Sequence, residues 1–291
     1  MLKRPTNVQD MLAASEKFFS EDCWNSGLAF KPRSDDIIIS TFAKSGTTWM
    51  QQIIHTLRTG GDMSFEEISL VVPWIETALD LGIDLEAEQP FPRAFKAHLP
   101  ADIVPKGAKY IVLFRDPAAV TRSYYSFMED WNFVAGTVNI DEFADAMMFD
   151  VEECFSIWHF FKTWWPRRND PDVLMMCYED MIGNEEAVIR RAADHVGIEL
   201  TDELLAITLG KSSHAFIKAH DRQFDDHATS DALDERCGLP PERHTSKVTT
   251  NSGKVVLTDR VLEKLDERWY AEIETTLGFK DYEAFRQSIG F

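Results

Sequence analysis

The chain has 291 residues, 44% of them hydrophobic, and a formal net charge of −19. That apolar content is enough for one large globular domain and excludes a disordered chain. The acidic balance argues against a nucleic-acid surface, which needs clustered Lys and Arg, and obliges any anion site to gather its cations locally. The cysteines, Cys23, Cys154, Cys177 and Cys237, are widely spaced and form no C-x-x-C pair, so neither zinc nor a disulfide scaffold is indicated. Residues 1–6 lack an apolar signal core, and no apolar run approaches the length of a membrane span. The expectation is a cytoplasmic protein in a reducing compartment.

In chain order, residues 6–20 have the pattern of a short amphipathic helix. Residues 35–41 read as a strand and 47–58 as a helix. Residues 60–92 mix acidic, apolar, Gly and Pro positions, as short helices and loops do. Residues 93–97 form a short strand, and 110–114 a buried strand by composition. Asp116-Pro117 supplies an N-cap and a first-turn proline, starting a helix that runs to about residue 128. Residues 141–165 read as one or two helices and 173–177 as a strand. A helix over 185–196 stops at Gly197, and Thr201 and Asp202 suit another helix start. Residues 219–254 are polar and weakly patterned, which predicts a long mobile loop or lid. A helix beginning near Thr258 closes the chain. Alternating strands and helices predict a mostly parallel sheet covered on both faces, in a single α/β domain over 1–291. Such sheets hold ligands outside the carboxyl ends of their strands.

Ile37-Ile38-Ile39-Ser40-Thr41-Phe42-Ala43-Lys44-Ser45-Gly46-Thr47-Thr48-Trp49 is the most informative stretch. A β-branched run stops at a polar turn and a helix follows at once. In that geometry the amides of the turn and the positive end of the helix dipole converge on one anion. Lys44 adds a full charge, Gly46 allows close backbone approach, and Thr47 and Thr48 add hydroxyl donors. The order is not that of a Walker A loop, and the Gly210-Lys211-Ser212 triplet is a chance match: Leu205 stands where that loop needs Gly. Arg115 closes the 110–114 strand, with Ser123 eight residues on. The pair can meet at a second anion, Arg by a forked pair of N–H bonds. Phe95-Lys96-Ala97-His98-Leu99-Pro100 places Lys96 and His98 on one face of a strand, and His is the side chain best suited to take a proton near neutrality.

Lys-Ser-Gly-Thr-Thr-Trp resembles the phosphosulfate loop of the PAPS-dependent sulfotransferases. In that family the loop holds the 5′ end of 3′-phosphoadenosine 5′-phosphosulfate (PAPS). Arg115 and Ser123 resemble the family's 3′-phosphate element, and the Lys96–Pro100 segment resembles its Lys-Thr-His-Leu-Pro, with Ala97 in place of Thr. The resemblance spans about residues 35–257. It implies a P-loop-NTPase-like three-layer fold and in-line transfer of a sulfuryl group from PAPS to a hydroxyl or amine, leaving PAP. By the same resemblance His98 is the general base, while Lys44, Lys96 and the loop amides stabilise developing charge. The donor site then comprises Lys44, Ser45, Gly46, Thr47, Thr48, Trp49, Arg115, Ser123, Tyr178 and Ser212, with Gly253 and Lys254 from the lid. Trp49 also suits core packing on the first helix, and Tyr178 suits a strand-end ring. No metal is implied. One departure stands out: Asn251 and Ser252 occupy positions where the family often carries Arg-Lys, and Lys254, Lys247 or Arg243 are possible substitutes.

Aromatic residues crowd the middle of the chain. At helical spacing they most often form core. A second reading has Trp131, Phe133 and Phe155, with Trp74, lining an apolar acceptor cleft, which suits a small apolar hydroxyl compound. Two rivals remain at this stage: a Mg-dependent small-molecule kinase on a similar sheet, and a non-catalytic nucleotide-binding homologue.

Overall fold

The computed structural model describes residues 2–240 and 255–290. Four strands form one parallel sheet: β1 (Ile37–Thr41), β2 (Ala94–Ala97), β3 (Lys109–Phe114) and β4 (Val173–Cys177), in the order β2-β1-β3-β4. All pairings are parallel, with Ile38 opposite both Phe95 and Tyr110, and Val112 opposite Met175. Every strand is close to fully apolar because both faces are covered. Ile38, Phe95, Tyr110, Val112 and Phe114 face one core layer with Trp158, Phe160, Phe161 and Trp164. Ile37, Ile39, Ile111, Leu113 and Met176 face the other, against Met50, Ile53 and Ile54 of the Thr47–Thr59 helix and Val188 and Ile189 of the Glu185–Val196 helix.

The chain leaves β1 towards β2 on one side and returns to β3 on the other. This reversal opens a crevice at the carboxyl end of β1. β1, β2 and β3 end there in short loops that carry Lys44, His98 and Arg115, and β4 runs directly into a helical turn, Tyr178–Met181, that opens on Tyr178.

The 141–165 stretch holds two helical pieces, within the expected one or two: Ile140–Ala144 continues as a π-helix over Asp145–Phe149, and Ile157–Trp164 starts afresh with Ser156 capping its first turn. Other regions depart from expectation. Within 219–240 the expected loop is replaced by a 3-10 turn, Asp221–Phe224, and a helix, His227–Cys237. That helix buries polar residues (His227, Thr229, Ser230 and Asp234) beside Leu233 and Cys237, so its inward face does not read as apolar. The 241–254 part of the expected lid, with Arg243, Lys247, Asn251, Ser252, Gly253 and Lys254, lies outside the described residues. Two helices were not expected. Glu21–Ala29 is capped by Ser20, and Tyr282–Ile289 is capped by Asp281.

Candidate active site

A single cavity of about 1110 Å³ extends from the carboxyl ends of the strands into an aromatic chamber. At its sheet end Gly46 is the N-cap of the Thr47–Thr59 helix, and no side chain caps that helix. Its first-turn amides have no intrahelical acceptor and open onto the cavity. Gly46 has φ +101°, and a Cβ there would lie 2.7 Å from the Tyr178 ring, so glycine is required by both conformation and space. Lys44 holds φ +66°, a left-handed conformation that costs a residue with a side chain on the order of 1–3 kcal/mol and clusters at functional loops. Its ammonium stands 4.2 Å from the centre of the Phe127 ring, inside the cavity.

Arg115 interlocks the segments after β1, β3 and β4. Its Nη1 donates to the Lys44 carbonyl at 2.7 Å, and its guanidinium lies 4.3 Å over the Tyr178 ring. Tyr178 also meets Trp49 edge-on at 6.1 Å. Asp116 caps the Pro117–Trp131 helix through the Ala118 N–H, as expected, and that helix presents Ser123 to the cavity. Ser212 ends the Asp202–Ser212 helix. It lines the cavity, but its hydroxyl donates to the Thr208 carbonyl at 2.7 Å. Ser45 is fully buried and absent from the cavity lining, and its N–H donates to the Phe42 carbonyl, so this loop residue stands apart from its neighbours. Three buried polar atoms here have no hydrogen-bond partner among the described residues: Ser45 Oγ, Trp49 Nε1 and Arg115 Nε. Orphaned donors around an uncapped helix end are what a polyanionic ligand would satisfy.

His98 follows β2. Its Nδ1 lies 2.9 Å from the Thr41 carbonyl oxygen, an acceptor only, which assigns the ring proton to Nδ1 and makes Nε2 the basic ring nitrogen. Thr41 Oγ1 sits 2.6 Å from Thr47 Oγ1 and 3.3 Å from His98 Nδ1, linking the His98 ring to the first turn of the Thr47–Thr59 helix. Lys96 lines the same cavity although only 2% exposed. Its ammonium lies 4.2 Å from the Trp74 ring centre and 3.8 Å from Asp226.

The aromatic chamber begins at His98. Trp74 meets the His98 ring edge-on at 5.0 Å, Phe18 and Phe19 pack on Trp74, and Phe18 reaches Trp131 at 5.3 Å. Trp24 and Phe155 close the row, 5.5 Å apart. Trp74, Trp131 and Phe155 therefore line the cavity. Phe133 does not: it is fully buried against Tyr125 and Phe143 in a separate cluster behind the chamber. Trp158, Phe160, Phe161 and Trp164 are core. Several lining residues carry no sequence signal of their own: Phe18, Phe19, Trp24, Glu76 and Asp226 come from segments far apart in the chain. Burial pushes the Glu76 carboxyl up to about 7, eased by nearby donors and by Lys96. The Trp74 indole N–H faces that carboxylate without reaching hydrogen-bond geometry. Burial likewise lifts the cavity-lining Tyr124 hydroxyl to about 12, so it stays protonated.

Known proteins match this chain in sequence and in fold. The model of the sulfotransferase domain family matches residues 34–276. Sulfotransferase 1B1 of dog (Canis lupus familiaris) is 30% identical over 223 residues, covering 72% of this chain and 75% of the relative. Among solved structures, mouse sulfotransferase SULT7A1 complexed with PAP superposes with a TM-score of 0.64 at 19% identity, covering 90% of this chain and 92% of that one. Retinol dehydratase in complex with androsterone and PAP gives 0.65 at 19% identity over 88% and 84%. The chain belongs to the sulfotransferase family and is a PAPS-dependent sulfotransferase.

Proposed function

We propose that the protein moves the sulfuryl group of PAPS to the hydroxyl, or amine, of a small apolar acceptor, with His98 as general base. PAPS supplies the activated sulfur, whose bond to the 5′-phosphate oxygen is the one that breaks. His98 Nε2 takes the acceptor's proton as its oxygen bonds to sulfur, and the electron pair of the broken bond stays on the phosphate oxygen. Lys44 and the open amides of residues 46–48 neutralise charge on that oxygen, while Lys96 serves the sulfuryl oxygens. Arg115 and Ser123 hold the 3′-phosphate, Trp49 and Tyr178 flank the adenine, and Ser212 adds a wall there. Together they set the donor's position. These cations and amides carry the charge, so no metal takes part in this reading. Retinol dehydratase was solved with androsterone and with retinol. A ring or chain alcohol of that apolar kind, or a phenol, suits the chamber of Trp74, Trp131 and Phe155.

The observation that carries the proposal is the His98 ring. Its Nδ1–H is committed to the Thr41 carbonyl, which makes Nε2 the basic ring nitrogen, and the ring lines the same cavity as an uncapped helix N-terminus with orphaned donors. The test is calorimetric titration with 3′,5′-ADP (PAP), in parallel with ATP without and with Mg²⁺, followed by sulfation assays with apolar alcohols and phenols. Metal-independent binding of 3′,5′-ADP and sulfation of an apolar hydroxyl are the expected results. Preference for Mg-ATP, or sulfation confined to anionic sugars, would overturn the proposal.

A further inference from the structure

Residues 73–76 run alongside β2 as a partial fifth strand. Lys96 N–H donates to the Pro73 carbonyl at 2.8 Å, and Ile75 N–H returns to the Lys96 carbonyl at 2.9 Å, in a parallel bridge that sets Trp74 opposite Lys96. Two residues on, the same ladder would have His98 N–H donate to the Ile75 carbonyl. Instead the Glu76 side chain takes that amide, with Oε1 at 2.6 Å. A backbone carbonyl would have satisfied the amide at no electrostatic cost. The chain places a carboxylate there, 2% exposed, on the cavity wall, and its Oε2 has no hydrogen-bond partner among the described residues. Burying a carboxylate for architecture alone is costly, and such groups concentrate at functional sites.

We propose that Glu76 is a positioning residue for the transfer: it fixes His98 through the main-chain amide and supplies the negative charge that favours the imidazolium form of His98 and the ammonium of Lys96. This rests on His98 acting as the base. The charged and titratable groups that reach Glu76 are Lys96 on β2, His98 after it, and Cys23 of the Glu21–Ala29 helix, while Asp226, before the His227–Cys237 helix, reaches Lys96. The Cys23 thiol donates to the Glu76 main-chain carbonyl at 3.2 Å. Lys96 thus lies between two carboxylates from different parts of the chain. Asp226 reaches it from the cavity-facing turn, Glu76 from the sheet edge. When an acceptor displaces the looser Asp226 contact of 3.8 Å, Glu76 remains as the counter-charge.

The experiment is an NMR titration of the His98 imidazole in the complex with 3′,5′-ADP, the signal assigned by its loss in His98→Ala. Glu76→Gln keeps an oxygen for the His98 amide but removes the charge. The expected result is a His98 midpoint lower than wild type by about one unit or more, with 3′,5′-ADP affinity within about twofold. An unchanged midpoint overturns the proposal. A melting curve separates this from a packing role. Because burial raises the Glu76 carboxyl from 4.5 to about 7, its ionisation opposes folding, and stability present below pH 4.5 is lost as pH rises through 7. Glu76→Gln abolishes that loss, so it melts at or above wild type at pH 8. A lower melting temperature with an unshifted His98 marks Glu76 as structural only. Should Glu76→Gln not fold, the Glu76 carboxyl carbon is titrated in wild type and in His98→Ala. Its midpoint moves if the two groups are coupled, and an identical midpoint overturns the proposal. Failure of wild type to bind 3′,5′-ADP would instead count against the sulfotransferase reading.

Discussion

The two ends of the cavity are built by different means. The end proposed for the donor is made of main chain and short loops: one uncapped helix terminus, one left-handed lysine and one arginine donating to a neighbouring loop's carbonyl. The end proposed for the acceptor is made of side chains from five or more separated segments, held by polar clasps. Arg236 donates to the Lys17 and Phe18 carbonyls and to Asp80, and Trp131 Nε1 donates to Asp234 at 3.1 Å. Where backbone makes the site, a few adjacent residues specify it. Where side chains make it, tertiary packing specifies it, and substitutions there alter shape without touching the anion cradle.

The largest expected effect falls at the junction of the two ends. His98→Ala should lower turnover by roughly 10²–10⁴-fold while leaving 3′,5′-ADP affinity near wild type. Turnover above a tenth of wild type would remove His98 as the base. Next comes the donor end alone. Arg115→Ala deletes charge-assisted hydrogen bonds worth about 1.5–3 kcal/mol, so calorimetry should show 3′,5′-ADP binding weakened by roughly 10–150-fold. Acceptor KM at saturating donor should hardly move, and an equal change in both would blur the division between the ends. A third contrast lies within the acceptor end. Phe133→Ala, deep behind the wall, should cost about 3–5 kcal/mol in chemical denaturation. Phe155→Ala, 49% exposed on the wall, should stay within about 1 kcal/mol but raise the KM of an apolar acceptor. The reverse pattern would return Phe133 to the pocket.

The smallest effect concerns the clasp around Asp80. Burial would raise this carboxyl, but hydrogen bonds from Arg236 and Ser20 outweigh it and hold it down at about 2. With the folded value depressed below 3.8, the stabilisation is present above pH 4 and lost as pH falls towards 2. Asp80→Asn should therefore melt lower than wild type at pH 6 and converge with it near pH 2. Parallel curves across that range would show that Asp80 acts by packing.

All four strands lay within two residues of where the sequence placed them, because a β-branched run buried on both faces has few other options. Lys44, Lys96, His98, Arg115, Tyr178 and Ser212 were legible as residues that converge on one cavity, since each follows or adjoins a strand end or helix terminus, and Ser123 joins them from the helix that starts just after Arg115. The His227–Cys237 helix was not, because Thr229, Ser230 and Asp234 are buried, and polarity in a sequence reads as solvent. Phe133 and Phe155 looked equivalent: both are aromatic and near the cavity in sequence, and only packing sends one behind the wall. Glu76 was hidden for a related reason. Its partner is the amide of His98, and no side-chain pattern marks a ladder that ends on a carboxylate.

Four of the eight tryptophans line the cavity: Trp49 stands at the donor end against Tyr178, and Trp24, Trp74 and Trp131 stand around the acceptor chamber. The enzyme consequently carries its own optical probes at both ends of its reaction path. Nucleotide stacking would be registered first by the quantum yield of Trp49, and acceptor entry by the emission colour of the chamber trio. Single Trp→Phe replacements would resolve the two signals, so the order in which substrates arrive can be followed in a stopped-flow fluorimeter without any attached dye.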